Sequence, residues 1–97
     1  MGAFYANKDD YARAIDYLNK AIEIDPNDDW YYGTLGLVYK NMMRRDSAIT
    51  EFEKAIKLNP NNPEWYHKLG DIYSEIGNNI LAQTYYDKFV KLQSEKN

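Results

Sequence analysis

Apolar positions in the middle of the chain recur at helical rather than strand spacing. In the segment 29–42 they fall at i, i+3, i+4 and i+7, and the segment 46–58 carries a similar stripe. Apolar residues at these intervals lie on one side of an α-helix, whereas a half-buried strand alternates every second residue. The stripes are Tyr32, Leu35, Gly36 and Tyr39, then Ala48, Ile49, Phe52, Ala55 and Ile56. The pattern predicts two helices and no strand.

The same pair of stripes occurs three times, at a spacing of 34 residues. Placing residues 1–28 over 35–62 gives 10 identities, and placing 29–62 over 63–96 gives 9. Unrelated sequences would give about two in each comparison. We therefore predict one domain over 1–97, built from a partial unit at 1–28 and complete units at 29–62 and 63–96.

Capping and helix-breaking residues divide the units into separate helices. Asn62 precedes Pro63 as a helix cap, Asp28 or Asp29 can cap the helix that begins near residue 30, and Asp46 can cap the next one. Prolines end the preceding helices because their ring clashes with helical geometry one residue back. The predicted helices are 1–8, 10–24, 29–42, 46–58, 63–76 and 79–94.

These residues resemble the tetratricopeptide repeat (TPR), whose pattern is W-x2-L-G-x2-Y…A-x3-F…P over about 34 residues. The middle unit reads Tyr32-x2-Leu35-Gly36-x2-Tyr39…Ala48-x3-Phe52…Pro60, and the third reads Tyr66-x2-Leu69-Gly70-x2-Tyr73…Ala82-x3-Tyr86. The first begins inside the pattern, as Met1-Gly2-x2-Tyr5…Ala14-x3-Leu18…Pro26. The resemblance covers essentially the whole chain. It implies an all-α fold, an α-solenoid of antiparallel helix pairs stacked into a right-handed superhelix.

Several single residues carry specific expectations within this pattern. Gly36 and Gly70 stand where two helices approach closely and a side chain would hold them apart. Met43 occupies a turn position where the family usually has Gly, at a cost of up to ~1 kcal/mol if the backbone is left-handed there. Gly77 tolerates such a turn. Phe89 replaces a small residue and would obstruct a further unit, so we expect the third unit to lie at or near the end of the array.

The resemblance implies a peptide-binding groove along the leading helix of each unit. The residues that it places there are Trp30, Thr34, Leu37, Lys40, Asn41, Glu64, His67, Lys68 and Asp71. Trp30 and Leu37 are expected to lie outside the packed stripes and to suit a partner segment with an apolar anchor. Members of the family that clamp acidic chaperone tails use Lys, Asn, Asn, Lys and Arg. The first of these places lies before Met1, and the others hold Ala3, Thr34, Glu64 and Lys68, so that clamp is absent.

The composition excludes or disfavours several kinds of functional site and partner. The chain has no Cys, which excludes disulfides, thiol catalysis and Cys-ligated zinc, and the single His67 excludes a multi-His metal site. A formal charge of -3 disfavours nucleic acid as a partner. No apolar run approaches the ~18 residues of a membrane span, and the first residues lack the features of a signal peptide. We expect a cytoplasmic protein with no catalytic residue, cofactor or metal, and no membrane contact.

Two functions remain open at this stage. The first is a non-enzymatic protein–protein interaction module that binds a partner peptide or helix in the groove. The second is a self-assembly element that forms homodimers through its incomplete first edge, where the stripe residues Ile15, Leu18 and Ile22 are expected to be partly exposed. The face of the last helix around Phe89 and Val90 is likewise expected to be partly exposed. The incomplete first unit indicates either a fragment of a longer array or an edge that is protected in another way.

Overall fold

The computed structural model describes residues 8–96, which form five α-helices joined by short turns. The helices are α1 (Lys8–Ile24), α2 (Asp29–Asn41), α3 (Arg45–Leu58), α4 (Pro63–Glu75) and α5 (Asn79–Lys96). Across 8–96 there is no strand, as predicted. The predicted helices from residue 10 onward are confirmed, with ends that differ by at most two residues. The helix predicted over 1–8 lies outside the described residues, apart from its last residue.

Local sequence determines where α2 and α4 begin. The Asp28 carboxylate accepts a hydrogen bond from the Trp30 backbone N–H at 3.0 Å, and the Asn62 side chain accepts one from the Glu64 N–H at 3.0 Å. Each side chain satisfies a backbone donor that has no partner within the helix. These two predicted caps are confirmed.

The start of α3 differs from the prediction. Asp46 does not cap this helix, because the helix begins at Arg45 and Asp46 lies in its first turn. Arg44 holds the cap position and makes no side-chain cap hydrogen bond. The preceding turn places Met43 at φ 65 and lets the Arg44 N–H donate to the Tyr39 carbonyl at 2.9 Å. This tight turn returns the chain to helical geometry one residue earlier than the capping pattern indicates.

Consecutive helices pack as antiparallel pairs. The most extensive contacts join α2 to α3 and α4 to α5, and smaller ones join α1 to α2 and α3 to α4. The two leading helices, α2 and α4, also contact each other. A turn of only three residues within each pair forces the two helices to run side by side in opposite directions. The result is a helical repeat in which each pair packs on the next.

The core lies between α3 and α4. Its fully buried members are Ala48, Phe52, Ala55, Trp65, Leu69 and Ile72. The Trp65 ring stacks on the Phe52 ring with centroids 6.0 Å apart, so aromatic surface from one helix pair covers the other. The main apolar contact of the fold therefore crosses from one repeat unit to the next, which explains why a single unit cannot bury its own apolar face.

Two glycines let aromatic rings lie directly on the backbone of the partner helix. A Cβ atom built at Gly36 would stand 2.9 Å from the Phe52 ring, and one at Gly70 would stand 2.6 Å from the Tyr86 ring. Carbon atoms do not approach this closely, so a side chain at either site would displace the ring. The close approach predicted at Gly36 and Gly70 is confirmed.

A third close approach, at Gly33, is not apparent from the sequence pattern. The Trp65 ring lies on the α2 backbone so that any Cβ at Gly33 would overlap it. The indole N–H donates a hydrogen bond to Asp29 Oδ2 at 2.7 Å, and the Asn62 side-chain amide donates to the same oxygen at 3.1 Å. The Asn59 side-chain amide donates to Oδ1 at 3.4 Å. Asp29 and Gly33 thus fix the position of the core tryptophan across the junction between helix pairs.

The partial exposure expected of the first stripe is confirmed for Ile15 and Ile22 and wrong for Leu18. Leu18 is buried, and Ile15 and Ile22 are half-buried, because α1 turns this stripe toward the rest of the molecule. The apolar side chains that α1 does expose are Tyr17 and Ile24, with 72% and 86% of their surface accessible. On α5, Val90 is exposed and Phe89 is half-buried, so the partial exposure expected of this face is confirmed. Within residues 8–96, no helix is long and apolar enough to cross a membrane.

Candidate peptide-binding groove

The predicted groove residues lie on two helices that touch each other. On α2, Trp30, Thr34, Leu37 and Asn41 follow one another at intervals of four, three and four residues, which places them along one side of the helix. On α4, Glu64, His67, Lys68 and Asp71 form the corresponding stripe. Lys40 of α2 reaches α4, because its Nζ lies 3.5 Å from Glu75 Oε2. The nine residues therefore belong to neighbouring leading helices.

Trp30 presents the largest exposed aromatic surface on these two helices. Its backbone N–H is held by the Asp28 cap, and its ring meets the edge of Tyr31 with centroids 5.8 Å apart and planes at 76°. The residue is nevertheless 56% exposed. Because the helix cap fixes the Trp30 backbone, contact with a partner has to order only the side chain, which lowers the entropy cost of binding.

Leu37 does not lie outside the packed stripes, contrary to expectation. It is half-buried and packs against the core cluster between α3 and α4. Helix α2 is contacted on more than one side, by α1, α3 and α4, so an apolar residue on its leading face is partly covered by its neighbours. Thr34 is likewise half-buried. Of the two apolar residues predicted to anchor a partner, only Trp30 offers most of its surface to solvent.

Most charged residues of the two stripes are paired within the protein. Glu75 lies 3.1 Å from Arg45 Nε as well as within reach of Lys40, and the hydrogen bond from Arg45 holds the pKa of Glu75 below its usual value. Lys68 Nζ lies 3.8 Å from Glu64 Oε2, one helical turn away. These pairs fix long side chains along the groove and largely neutralise it.

Asn41 ends the α2 stripe at the turn before α3. Its side chain is exposed, and its backbone carbonyl accepts a hydrogen bond from the Tyr11 hydroxyl at 3.2 Å. This bond ties the end of α2 to α1. Asn41 therefore combines an exposed amide with a backbone that is held in place.

Asp71 is the centre of a cluster that joins α4 to α5. The Tyr86 hydroxyl donates a hydrogen bond to Asp71 Oδ1 at 2.5 Å, while His67 Nδ1 lies 3.5 Å from Oδ2. The hydrogen bond to Asp71, together with burial, raises the pKa of Tyr86 to about 12, so the phenol stays protonated as a donor. The His67 ring packs against Phe89 at a centroid distance of 4.8 Å and against Tyr86 at 5.7 Å.

Sequence reasoning placed His67 and Asp71 in the groove but missed their two partners on α5. The sequence pattern gives Tyr86 only as the aromatic position of the third unit's second helix, and Phe89 only as an obstacle to a further unit. The available signal is that Tyr86 stands 34 residues after Phe52 and differs from it by a hydroxyl. A buried phenol needs a hydrogen-bond partner, which here is the carboxylate on the facing helix. Between residues 8 and 96 no cluster of three or more His, Cys, Asp or Glu residues is arranged to hold a metal ion.

Comparison with known proteins identifies the repeat. Family models of the tetratricopeptide repeat match residues 1–28 and 63–96, and a TPR repeat model matches 45–77. The crystal structure of MamA is similar over 91% of this chain and 52% of that chain, with 33% sequence identity and a TM-score of 0.86. The chain thus spans about half the length of that MamA protein.

Two more distant structures share the fold. MamA from Desulfovibrio magneticus RS-1 covers 90% of this chain and is covered over 49% of its own length, at 23% identity and a TM-score of 0.83. The second TPR of Spaghetti (RPAP3) covers 86% of this chain and is covered over 77%, at 18% identity and a TM-score of 0.80. No curated protein sequence matches the chain closely enough to add to these likenesses. Three matched repeats on five stacked helices show that the chain belongs to the tetratricopeptide repeat family.

Proposed function

We propose that this protein is a non-enzymatic interaction module, which binds a peptide or helix of a partner protein along the face of α2 and α4. The observation that carries the proposal is Trp30, an aromatic side chain that is 56% exposed on α2, whereas the aromatic side chains of α3 and α4 are buried or half-buried. Exposed aromatic anchors contribute much of the binding energy at protein interfaces. The second TPR of Spaghetti (RPAP3), which shares this fold, is bound to the HSP90 peptide SRMEEVD, so the fold supports peptide binding in that protein.

The partner that fits this face differs from an acidic tail. Lys68 is paired with Glu64, and Lys40 is paired with Glu75, so neither ammonium group is free of a competing carboxylate. An acidic tail would have to displace these pairs and would meet their carboxylates at close range. We propose instead a segment that places an apolar side chain against Trp30.

The test is selection of random displayed peptides on the immobilised protein, followed by affinity measurement with purified peptides. Trp30→Ala should weaken the selected peptides about tenfold or more, because it removes the anchor surface. Ile80→Ala is the matched control, since Ile80 is 81% exposed at the start of α5, away from the two stripes. Binding should also shift the emission of Trp30 toward shorter wavelength, because the indole leaves water. Peptides that bind Trp30→Ala as well as the original protein would refute the groove.

A second candidate function is self-assembly through the first edge. The observation that favours it is a cleft of 290 Å³ between α1 and α2, lined by Tyr17, Lys20, Ala21, Ile24 and Tyr31. Two of these, Tyr17 and Ile24, are among the most exposed large apolar side chains in the described part of the chain. We propose that a second copy covers this cleft when the protein is concentrated.

A further inference from the structure

We infer that the α4 part of the groove recognises a positively charged side chain, above all arginine, in the bound segment. The recognising group is the Asp71 carboxylate with the rings of His67, Tyr86 and Phe89 around it, which we call the Asp71 pocket. This inference rests on the groove function proposed above and adds the chemistry of the partner. It assigns the segment one basic residue near Asp71 in addition to its apolar contact with Trp30.

Charge balance along the two helices points to Asp71. The Glu75 carboxylate has two cationic neighbours, Lys40 at 3.5 Å and Arg45 at 3.1 Å, and Glu64 has Lys68 at 3.8 Å. Across residues 8–96, by contrast, the group at ion-pair distance from Asp71 is His67, which compensates the charge only when it is protonated. Asp71 therefore carries the one negative charge of the groove that no permanent cation of the described chain neutralises.

The geometry leaves this carboxylate available to a partner. Tyr86 occupies Oδ1 with a hydrogen bond of 2.5 Å and holds the group in one orientation without adding charge. Oδ2 lies 3.5 Å from His67 Nδ1, which is long for a hydrogen bond, and 32% of the Asp71 side chain is accessible. A donor that bonds to Oδ2 would leave the Tyr86 hydrogen bond to Oδ1 intact. The site is thus fixed in position before the partner arrives.

The surrounding rings select a cation rather than an apolar group. The half-buried His67 and Phe89 rings pack against each other at 4.8 Å, and His67 lies beside the carboxylate, with Nδ1 3.5 Å from Oδ2. A guanidinium group can stack on such rings while its N–H groups donate to the carboxylate, which combines both interactions in one side chain. An apolar side chain would take Asp71 out of water with nothing to pair it, and an acidic one would repel it. Arginine satisfies each of these constraints, and lysine satisfies the charge.

The experiment uses the displayed-peptide selection on the original protein and on Asp71→Asn. Asparagine keeps an oxygen that can accept the Tyr86 hydrogen bond, so the variant removes the charge while retaining the shape. Peptides selected on the original protein should be enriched in Arg and Lys, and replacing the Arg with neutral citrulline should weaken binding about tenfold. On Asp71→Asn the same replacement should change affinity by less than twofold. Asp87→Asn is the control, because Asp87 is exposed on α5 and its loss changes net charge equally.

The outcomes separate this inference from the groove itself. The Asp71 pocket is refuted, while the groove stands, if the selected peptides depend on Trp30 but are not enriched in Arg or Lys. It is also refuted if replacing Arg with citrulline weakens binding equally on both proteins. If no peptide depends on Trp30, the groove function fails and the pocket fails with it. The citrulline comparison on the original protein needs no variant, so a poorly folded Asp71→Asn leaves the inference testable: a loss below twofold there overturns it.

Discussion

Met43 adopts a left-handed backbone conformation, with φ 65, in the turn between α2 and α3. The residue 34 positions later is Gly77, which adopts φ 86 in the turn between α4 and α5. The same turn is therefore built once with glycine and once with a residue that has a Cβ. Glycine adopts this conformation readily, whereas other L-residues lose about 1 kcal/mol there. Met43 is 64% exposed, so packing offsets little of this cost.

We predict that Met43→Gly raises the free energy of unfolding by about 0.5–1 kcal/mol, because it relieves the left-handed strain. Gly77→Ala is the reciprocal change and should lower it by about the same amount. A Cβ at Gly77 meets no atom within 4 Å, so its effect reports the backbone alone. Urea denaturation measures both changes in the free energy of unfolding, provided that its slope against urea concentration is the same for all three proteins. Equal stability of the three proteins would show that the turn conformation carries no cost.

At the scale of elements, the junction between helix pairs depends on one carboxylate at the start of α2. Asp29 accepts hydrogen bonds from Trp65 on α4 and from Asn59 and Asn62 in the turn that precedes it. Burial acts to raise the pKa of Asp29, but these hydrogen bonds outweigh it and hold the pKa below its usual value. A carboxyl with a lowered pKa in the folded state stabilises the fold above its unfolded pKa of about 4. This stability is lost as pH falls through the folded value.

We predict that Asp29→Asn lowers the free energy of unfolding at pH 7 by about 1 kcal/mol, because one amide oxygen cannot replace two carboxylate oxygens at this junction. The difference from the original protein should shrink as pH falls from about 4 toward the lowered folded-state pKa of Asp29, because the stabilisation by the charged carboxylate is lost over that interval. Asp16→Asn is the control, since the Asp16 side chain is 68% exposed in a pair with Lys20, and it should change stability by a few tenths of a kcal/mol. A gap between Asp29→Asn and the original protein that stays constant from pH 7 to pH 3 would exclude the linkage.

Helix pairing could be predicted from the sequence because periodicity reports which side of a helix is apolar. The stripe around Phe52 and the caps at Asp28 and Asn62 follow rules that act within a few residues, and each is confirmed. The contact between Trp65 and Gly33 joins helices about thirty residues apart, and no local rule carries that information. The prediction that Asp46 caps α3 failed for a related reason. The turn before α3 depends on the left-handed backbone of Met43, which precedes Asp46 by three residues.

The candidate site was predictable in position but not in chemistry. The family pattern places Trp30 and Asp71 on the leading helices, and the structure puts them on neighbouring helices that touch. The family pattern cannot give the exposure of Leu37, which depends on how closely the adjacent helices cover α2. Nor does it indicate that Tyr86 donates to Asp71, because that hydrogen bond depends on the angle between α4 and α5. The ion pairs within the groove, which decide how much of its charge is neutralised, are visible only in the three-dimensional structure.

At the scale of the whole molecule, large apolar side chains are exposed both on α1 and around the turn between α4 and α5. On α1, Tyr17 and Ile24 border the 290 Å³ cleft. Ile76 and Ile80 flank the turn between α4 and α5. The cleft is bounded by two helices and half-buried Tyr31, so a second copy can cover its apolar walls together. The Ile80 side chain lies at the start of α5, next to the turn that precedes this helix. A second copy that covers the cleft therefore gains more contacts for each ordered side chain than one that covers Ile80.

We predict weak self-association through this cleft. A symmetric dimer covers four large apolar side chains, two from each copy, and at about 2 kcal/mol each they exceed the lower estimates of the cost of association, about 4 kcal/mol, by about 4 kcal/mol. Association should therefore appear only near millimolar concentration, as a rise in weight-average mass by sedimentation velocity between micromolar and millimolar protein.

Ile24→Lys should abolish the rise in mass, since Ile24 is 86% exposed and its replacement leaves the fold intact while placing a charge in the contact. Ile80→Lys adds the same charge at a site that is 81% exposed but lies outside the cleft, and should associate like the original protein. A constant monomer mass for the original protein at every concentration excludes self-assembly. An equal effect of the two lysine variants would mean that net charge governs association, because only contact through the cleft distinguishes one site from the other.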